Sequence, residues 1–171
     1  GDHIVASQFV FGNTNSLFNT LSGLGIEITF VDATDAAKVE AAIKPSTKLV
    51  FVETIANPVT QIADLAAIGD LCEKQKLIYF VDNTMTSPCL FLPITVKASL
   101  IINSLTKYIG GHGNALGGSV TDTGLYDWGS FDNIYENYKN KDSSQWGITQ
   151  IRKKGLRDFG AALGPEAAHH L

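Results

Sequence analysis

The chain has 171 residues, of which 44% are hydrophobic and 18% charged, and its formal net charge at pH 7 is −4. This composition is that of one globular domain with a single core of ordinary size. The acidic balance and the scattered basic residues, clustered only at Arg152-Lys153-Lys154 and Arg157, exclude nucleic acid and an anionic membrane surface as main partners.

Neither membrane insertion nor metal binding is indicated by the sequence. No apolar stretch reaches the length of a membrane span, and Gly1-Asp2-His3-Ile4 lacks the features of a signal peptide. The two cysteines, Cys72 and Cys89, are too few for a disulfide scaffold or a zinc site, which favours a reducing cytoplasm. The histidines show no metal-ligand spacing, and we expect the adjacent His169-His170 to lie on a helix surface.

Short apolar runs rich in β-branched residues predict five buried strands. Their hydrophobicity is continuous rather than alternating, which is typical of a sheet covered on both faces. The predicted strands are His3 to Ser7, Glu27 to Asp32, Lys48 to Glu53, Leu77 to Asp82 and Leu100 to Ser104.

Amphipathic stretches between these runs predict helices. Thr14 to Leu21 ends at glycines, and Asp35 to Ile43 is stopped by Pro45. The alternation of strands and helices predicts an α/β fold with three α/β/α layers and a mainly parallel sheet. A third helix has one apolar face, formed by Ile62, Leu65, Ala66, Ile68, Leu71 and Cys72.

The regular alternation stops after Asn114. Gly117 to Thr121 predicts one further strand, and the polar, aromatic segment from Asp122 to Ser144 predicts a long surface excursion. From Gly147 to Leu163 the pattern is again helical, so we expect one domain with a trailing helix.

Polar residues close three of the predicted strands: Glu53, Asp82 and the run from Ser104 to Lys107. Ligands of open α/β sheets bind beyond the carboxyl ends of the strands, so these side chains should converge. Asp82 follows an apolar run and is costly to bury unless a cation or strong donors pair with it. A protonated pyridine nitrogen would be such a partner; capping by the Asn83 and Thr84 amides is the alternative.

Lys107 stands at the end of a predicted strand and before the glycine cluster Gly110-Gly111-His112-Gly113. A lysine in such a place can lose its proton and act as a nucleophile toward carbonyls, which indicates a lysine that holds an aldehyde cofactor. Ser104 and Thr106 are two apart, so on an extended chain both hydroxyls point the same way and could bind a phosphate. Taken singly, these residues fit a solvated lysine and two turn residues better. Their joint occurrence with Asp82 and the glycine cluster favours the cofactor site.

Two other motifs in the sequence are weaker indications of function than the pattern around Lys107 and Asp82. Ser104-Leu105-Thr106-Lys107 matches the S-x-x-K pattern of serine acyl enzymes, but the accompanying S-D-N and K-T-G tripeptides do not occur in the sequence. Gly111-x-Gly113 lacks the third glycine of a dinucleotide-binding loop and does not lead into a convincing helix.

Several spaced segments carry a resemblance to a known family. They are Val81-Asp82-Asn83-Thr84, Ser104-Leu105-Thr106-Lys107-Tyr108, Gly111-His112-Gly113 and Phe51-Val52-Glu53-Thr54-Ile55-Ala56-Asn57-Pro58. The set resembles the cystathionine γ-synthase-like γ-family of pyridoxal phosphate enzymes of cysteine and methionine metabolism. The resemblance spans nearly the whole chain. It implies the fold-type I, aspartate-aminotransferase-like architecture, with residues 1–171 as part of the central cofactor domain.

Residue by residue, the resemblance implies a site for pyridoxal 5′-phosphate. It makes Lys107 the lysine that forms the Schiff base and Asp82 the partner of the pyridinium nitrogen, which strengthens the ring as an electron sink. It also places Ser104 and Thr106 on the cofactor phosphate and Asn57 near the phenolic oxygen.

Phe11 marks a departure from the family pattern. The resemblance places Phe11 against the cofactor ring, where relatives usually have a tyrosine before glycine. Phe11 keeps the aromatic face for stacking and lacks the hydroxyl of the tyrosine. Any proton transfer by that tyrosine must then fall to Lys107, or be dispensable with a good leaving group such as acetate.

Within the family, the segments 114–128 and 156–163 look most like the O-acetylhomoserine sulfhydrylase branch. The implied reaction is γ-replacement of acetate by sulfide to give homocysteine, in a homotetramer built from dimers that share active sites. Methionine γ-lyase and cystathionine γ-synthase remain alternatives, and a non-catalytic α/β scaffold is the alternative of a different class. The chain is less than half a usual family subunit, so the arginine that clamps the substrate carboxylate is expected outside it.

Overall fold

A six-stranded sheet forms the centre of the computed structural model, which describes residues 1–139, 142–160 and 162–171. The strand order is β2-β1-β3-β4-β5-β6; β1 to β5 pair in parallel and β6 is antiparallel to β5. The predicted mainly parallel sheet is therefore confirmed. The strands are β1 His3–Ser7, β2 Glu27–Val31, β3 Thr47–Glu53, β4 Ile78–Asp82, β5 Leu100–Ser104 and β6 Gly118–Asp122.

The first, second, third and fifth helices lie where the amphipathic stretches predict them, with shifted ends, and the short fourth and sixth helices are additional. Asp35 begins the second helix, since its side chain accepts a hydrogen bond from the Ala37 amide at 2.9 Å. None of the helices among the described residues is long and apolar enough to cross a membrane. The helices are α1 Gly12–Gly23, α2 Ala36–Ala42, α3 Leu65–Gln75, α4 Ser87–Leu90, α5 Trp146–Gln150 and α6 Pro165–His170.

The third helix starts later than predicted. Ile62 does not belong to its apolar face: it is 63% exposed and forms an isolated antiparallel bridge with Ile55. Asp64 occupies the cap position before Leu65, and the buried face consists of Ile68, Leu71 and Cys72. The extended pairing at Ile62 keeps the chain out of the helix until Asp64.

Successive residues of each strand point to opposite faces of the sheet, and both faces are covered. Val50, Val52 and Tyr79 pack with α2 and α3 in one cluster, whereas Phe51 and Phe80 face the other side, where Phe51 packs edge-on against Phe18 of α1. The three α/β/α layers predicted from continuous hydrophobicity are thus present.

The segment after β6 is only partly the surface excursion that its polar composition predicts. Trp128 and Ile134 are 3% and 5% exposed and pack against Ile78 and Leu100. The Trp128 indole donates to Asp122 at 2.8 Å, so the ring is buried with its polar atom satisfied. The expectation was wrong for these residues because the sheet face beside β4 and β5 needs a cover that no earlier helix supplies.

The predicted trailing helix is present but shorter. It runs through α5 and continues in wider turns over Ile151–Asp158, and residue 161 lies outside the described residues. Phe159, an apolar residue within the predicted helix, is 86% exposed. His169 and His170 lie on the exposed surface of α6, as predicted.

Gly69 is the tightest packing point of α3. A Cβ at this position would lie 2.0 Å from the Val96 carbonyl oxygen, which is backbone and has little freedom to move. We expect Gly69→Ala to lower the free energy of unfolding by about 1–3 kcal/mol, because overpacking outweighs the gain in helix propensity. Denaturant unfolding of the variant measures this.

Gly155→Ala is the matched control, since a Cβ there meets nothing within 4 Å. Its free energy of unfolding should be equal to that of the parent or higher by up to about 1 kcal/mol. Equal stability of the two variants would contradict the packing argument.

Candidate functional site

A cavity of ≈ 670 Å³ opens at the carboxyl ends of the parallel strands. Its volume lies within the usual range of small-molecule sites. Its walls come from the turn before α1 and from the segments that follow β3, β4 and β5. The lining residues are Phe11, Thr14, Glu53, Ile55, Asn57, Asp82, Thr84, Met85, Ser104, Lys107, Tyr108, Gly111 and Gly113.

Asp82 closes β4 and turns its carboxylate into this cavity. The Thr84 amide donates to Asp82 Oδ1 at 2.8 Å, whereas the Asn83 amide donates to the Ile102 carbonyl at 2.8 Å, so only the Thr84 part of the predicted capping is formed. None of the ion pairs among the described residues involves Asp82. Burial raises the pKa of Asp82, and the hydrogen bonds from Thr84 only partly oppose this. The carboxylate is therefore suited to a cationic partner.

Lys107 lies in a short helical turn, Leu105–Ile109, directly after β5. The turn is interrupted at Lys107 itself, whose φ and ψ are −91° and −117°. The side chain is exposed and lines the cavity, and none of the ion pairs among the described residues uses its ammonium. The amine is thus accessible to a carbonyl ligand.

Ser104 and Thr106 are not equivalent in the structure. Ser104 lines the cavity, and its amide donates to Thr84 Oγ1 at 2.8 Å. Thr106 is not among the lining residues, because its hydroxyl donates to the Gly117 carbonyl at 3.2 Å and accepts from the Gly117 amide at 3.0 Å. The chain leaves the extended conformation at Leu105, so the alternation that should align the two hydroxyls ends there.

Phe11 and Asn57 line the cavity, from the start of α1 and from the segment after β3. Phe11 is 44% exposed although it is a large aromatic residue. Five of the six predicted site residues thus meet in one cavity, and Thr106 stands beside it.

The cavity also contains Glu53, which the sequence places at the converging strand ends without a role toward the cofactor. Thr84, Met85 and Tyr108 line it as well and were not assigned to the site from the sequence. The position of Glu53 in the sequence indicated a place in the cavity, since it closes β3 just as Asp82 closes β4. Thr84, Met85 and Tyr108 had no such signal beyond their proximity to Asp82 and Lys107 in the chain.

The raised pKa of Asp82 gives a testable dependence of stability on pH. A carboxyl whose pKa is higher folded than unfolded stabilises the fold when protonated, and this contribution is lost as pH rises through the folded pKa. At pH 8, without cofactor, Asp82→Asn should therefore be more stable than the parent, since the amide oxygen can still accept from Thr84. The difference should shrink as pH falls through the folded pKa of the Asp82 carboxyl, because the protonated parent no longer buries a charge there. Thermal unfolding at several pH values measures this, and a variant less stable than the parent at pH 8 would contradict it.

The donor set fits pyridoxal 5′-phosphate. One cavity at the edge of a parallel α/β sheet is lined by a half-buried carboxylate that forms none of the ion pairs among the described residues, an accessible amine, an amide side chain and an aromatic face. The carboxylate suits a ring cation, and the amine suits an aldehyde. The amide suits a phenolic oxygen, and the aromatic side chain suits the face of a ring. Fold and cavity together define the class as pyridoxal-phosphate-dependent enzymes.

The comparisons with known proteins agree with this class. The family model described as Cys/Met metabolism PLP-dependent enzyme matches residues 1–171. The chain belongs to this family.

Solved structures of similar proteins confirm the fold. An O-acetylhomoserine sulfhydrylase of Wolinella succinogenes is 37% identical with a TM-score of 0.89, over 98% of this chain and 48% of that one. A putative O-acetylhomoserine (thiol)-lyase of Campylobacter jejuni is 32% identical with a TM-score of 0.87, over 99% of this chain and 45% of that one. The C. jejuni structure contains N′-pyridoxyl-lysine-5′-monophosphate.

Curated relatives include more than one activity. The O-acetyl-L-homoserine sulfhydrylase of Leptospira meyeri is 33% identical over 96% of this chain and 42% of the relative. An L-methionine gamma-lyase of Fusobacterium nucleatum is 35% identical over 100% of this chain and 39% of the relative. The chain spans less than half the length of the curated relatives it matches.

Proposed function

We propose that the protein containing this chain catalyses γ-replacement on O-acetylhomoserine, with sulfide as the second substrate and homocysteine and acetate as products. The observation that carries the proposal is the single cavity that Lys107, Asp82 and Phe11 line together. Similarity to sulfhydrylases of L. meyeri and W. succinogenes supports the choice within the family.

In the proposed site, Lys107 would bind the cofactor aldehyde and Asp82 would pair with the ring nitrogen. Ser104 would bind the phosphate, and Asn57 would serve the phenolic oxygen. Thr106 supports the phosphate site through its hydrogen bonds to Gly117, which fix the turn after Ser104. When bound, pyridoxal phosphate supplies an electron sink for carbanion chemistry at the substrate.

The protein's part in the reaction is the movement of protons and the protection of the reacting carbon. Lys107 Nζ takes the proton from the substrate Cα and returns protons further along the side chain, because it is the amine that lines the cavity. Asp82 stays ionised beside a cation and so keeps the ring nitrogen protonated.

Phe11 favours an ester substrate over a thioether. Its ring offers no proton to a leaving group, and acetate needs none, because it is the conjugate base of an acid with a pKa near that of glutamic acid. A thiolate leaving group is far more basic and gains more from a general acid. This observation is the reason for ranking the sulfhydrylase reaction above the methionine γ-lyase reaction.

An assay of the full-length protein with three substrate sets tests the proposal. We expect homocysteine from O-acetylhomoserine plus sulfide. Methionine alone should give little 2-oxobutanoate, and cysteine should be a poor acceptor. Faster release of methanethiol from methionine would favour methionine γ-lyase, and cystathionine formation would favour cystathionine γ-synthase.

A colourless protein that binds no cofactor would favour the non-catalytic scaffold.

We further propose that the full-length protein forms a homotetramer built from dimers that share active sites. Light scattering of the purified protein tests this.

A further inference from the structure

Glu53 is a buried carboxylate in the cavity to which the proposed reaction gives no task. It is 7% exposed, closes β3 and lies in register beside Asp82 of β4. None of the ion pairs within the described part of the chain includes it. A buried carboxylate next to another carboxylate is unfavourable unless its hydrogen bonds compensate for the lost solvation.

The hydrogen bonds of Glu53 join two separate segments of the cavity wall. Oε1 accepts from the Phe11 amide at 2.7 Å, and Oε2 accepts from the Asn57 amide at 3.4 Å. The first bond spans 42 positions of the chain and fixes the residue that precedes α1. Both bonded residues line the cavity.

The chemistry of these contacts requires a carboxylate. Two backbone N–H groups face the two oxygens, and an ionised carboxylate can accept at both positions. A glutamine could accept from one amide only, and its NH₂ group would then face the other N–H group. A negative charge at the start of α1 is also favourable, since no side chain caps that helix.

We propose that Glu53 is a positioning residue of the cofactor site, which holds the Phe11 ring and the Asn57 side chain at a fixed separation across the cavity. The proposal rests on the proposed cofactor site. Glu53 acts through the two backbone segments and not by contact with the substrate. Burial, together with the charge of Asp82, raises the pKa of Glu53, while the two backbone hydrogen bonds lower it.

The test measures cofactor affinity and stability separately in the full-length protein. Cofactor-free parent, Glu53→Gln and Glu53→Ala proteins are titrated with pyridoxal 5′-phosphate, and the visible absorbance and circular dichroism of the bound cofactor are recorded. We expect the dissociation constant to rise by roughly tenfold in Glu53→Gln and more in Glu53→Ala. The visible circular dichroism should weaken, because the ring is less firmly oriented.

Thermal unfolding of the same cofactor-free proteins separates positioning from a general role in folding. Removal of a buried charge should leave the melting temperature of Glu53→Gln equal to that of the parent or higher. Glu40→Gln, at an exposed position of α2, is the matched control and should change neither quantity.

Two results would overturn the role of Glu53: an unchanged dissociation constant in Glu53→Gln, or a weaker affinity accompanied by an equally clear loss of melting temperature. Failure of the parent protein to bind the cofactor would instead overturn the proposed site. The two failures are therefore distinguishable.

Discussion

Lys107→Ala is expected to lower the rate of homocysteine formation by about 10³-fold or more, since in the proposed site one amine both holds the cofactor and moves the substrate protons. Borohydride treatment of the parent protein, followed by peptide mapping, should place the cofactor label on Lys107. The variant should carry no label at any lysine.

Lys74→Ala is the matched control, because Lys74 is exposed on α3 and lies outside the cavity. It should retain both the label and the activity of the parent. A label at another lysine of the parent, or a Lys107→Ala variant with more than about a tenth of the parent activity, would refute the assignment.

Asp82→Asn is expected to lower activity by about 10³-fold, with a smaller loss of cofactor affinity. Opposite charges about 3 Å apart attract by about 5 kcal/mol at an effective dielectric of about 20, and this attraction keeps the ring nitrogen protonated. The amide has nearly the same shape as the carboxylate and lacks its charge. Steady-state rates and cofactor titration of the same variant measure the two effects.

Without cofactor at pH 8, Asp82→Asn should also be more stable than the parent, because burial raises the pKa of the Asp82 carboxyl and the variant buries no charge there. Higher stability together with lower activity is typical of a group retained for function. Asp70→Asn on the exposed surface of α3 is the control, and its activity should equal that of the parent. Parent-like activity of Asp82→Asn would remove Asp82 from the proposed site.

The sheet and its ligand-binding edge could be predicted from local patterns in the sequence, whereas the places of Asn57 and Phe11 were implied by the family resemblance. Continuous apolar runs indicate buried parallel strands, and polar residues at their ends indicate the edge where ligands bind. Asp82 and Lys107 could therefore be placed in one cavity before any coordinates were known.

Other features depend on contacts between distant residues and have no local signal. The role inferred for Glu53 requires its bond to Phe11, 42 positions away. The burial of Trp128 follows from the uncovered sheet face beside Ile78 and Leu100, while its neighbours in the chain are polar. Thr106 lies outside the cavity lining because period-two alternation holds only while the chain stays extended, and the strand ends at Ser104.

Hydrogen bonds to Gly117 restrict the backbone motion of the turn after β5. The Leu105 amide and the Thr106 amide and hydroxyl all bond to the Gly117 carbonyl, so the backbone on the N-terminal side of Lys107 is tied to the segment that leads into β6. Displacement of this backbone would require opening the β5–β6 pair, an event of microseconds or longer, whereas side-chain rotation takes picoseconds to nanoseconds. Lys107 should therefore reach successive substrate atoms by rotation about its own carbon chain, and amide hydrogen exchange at Leu105 should be slow.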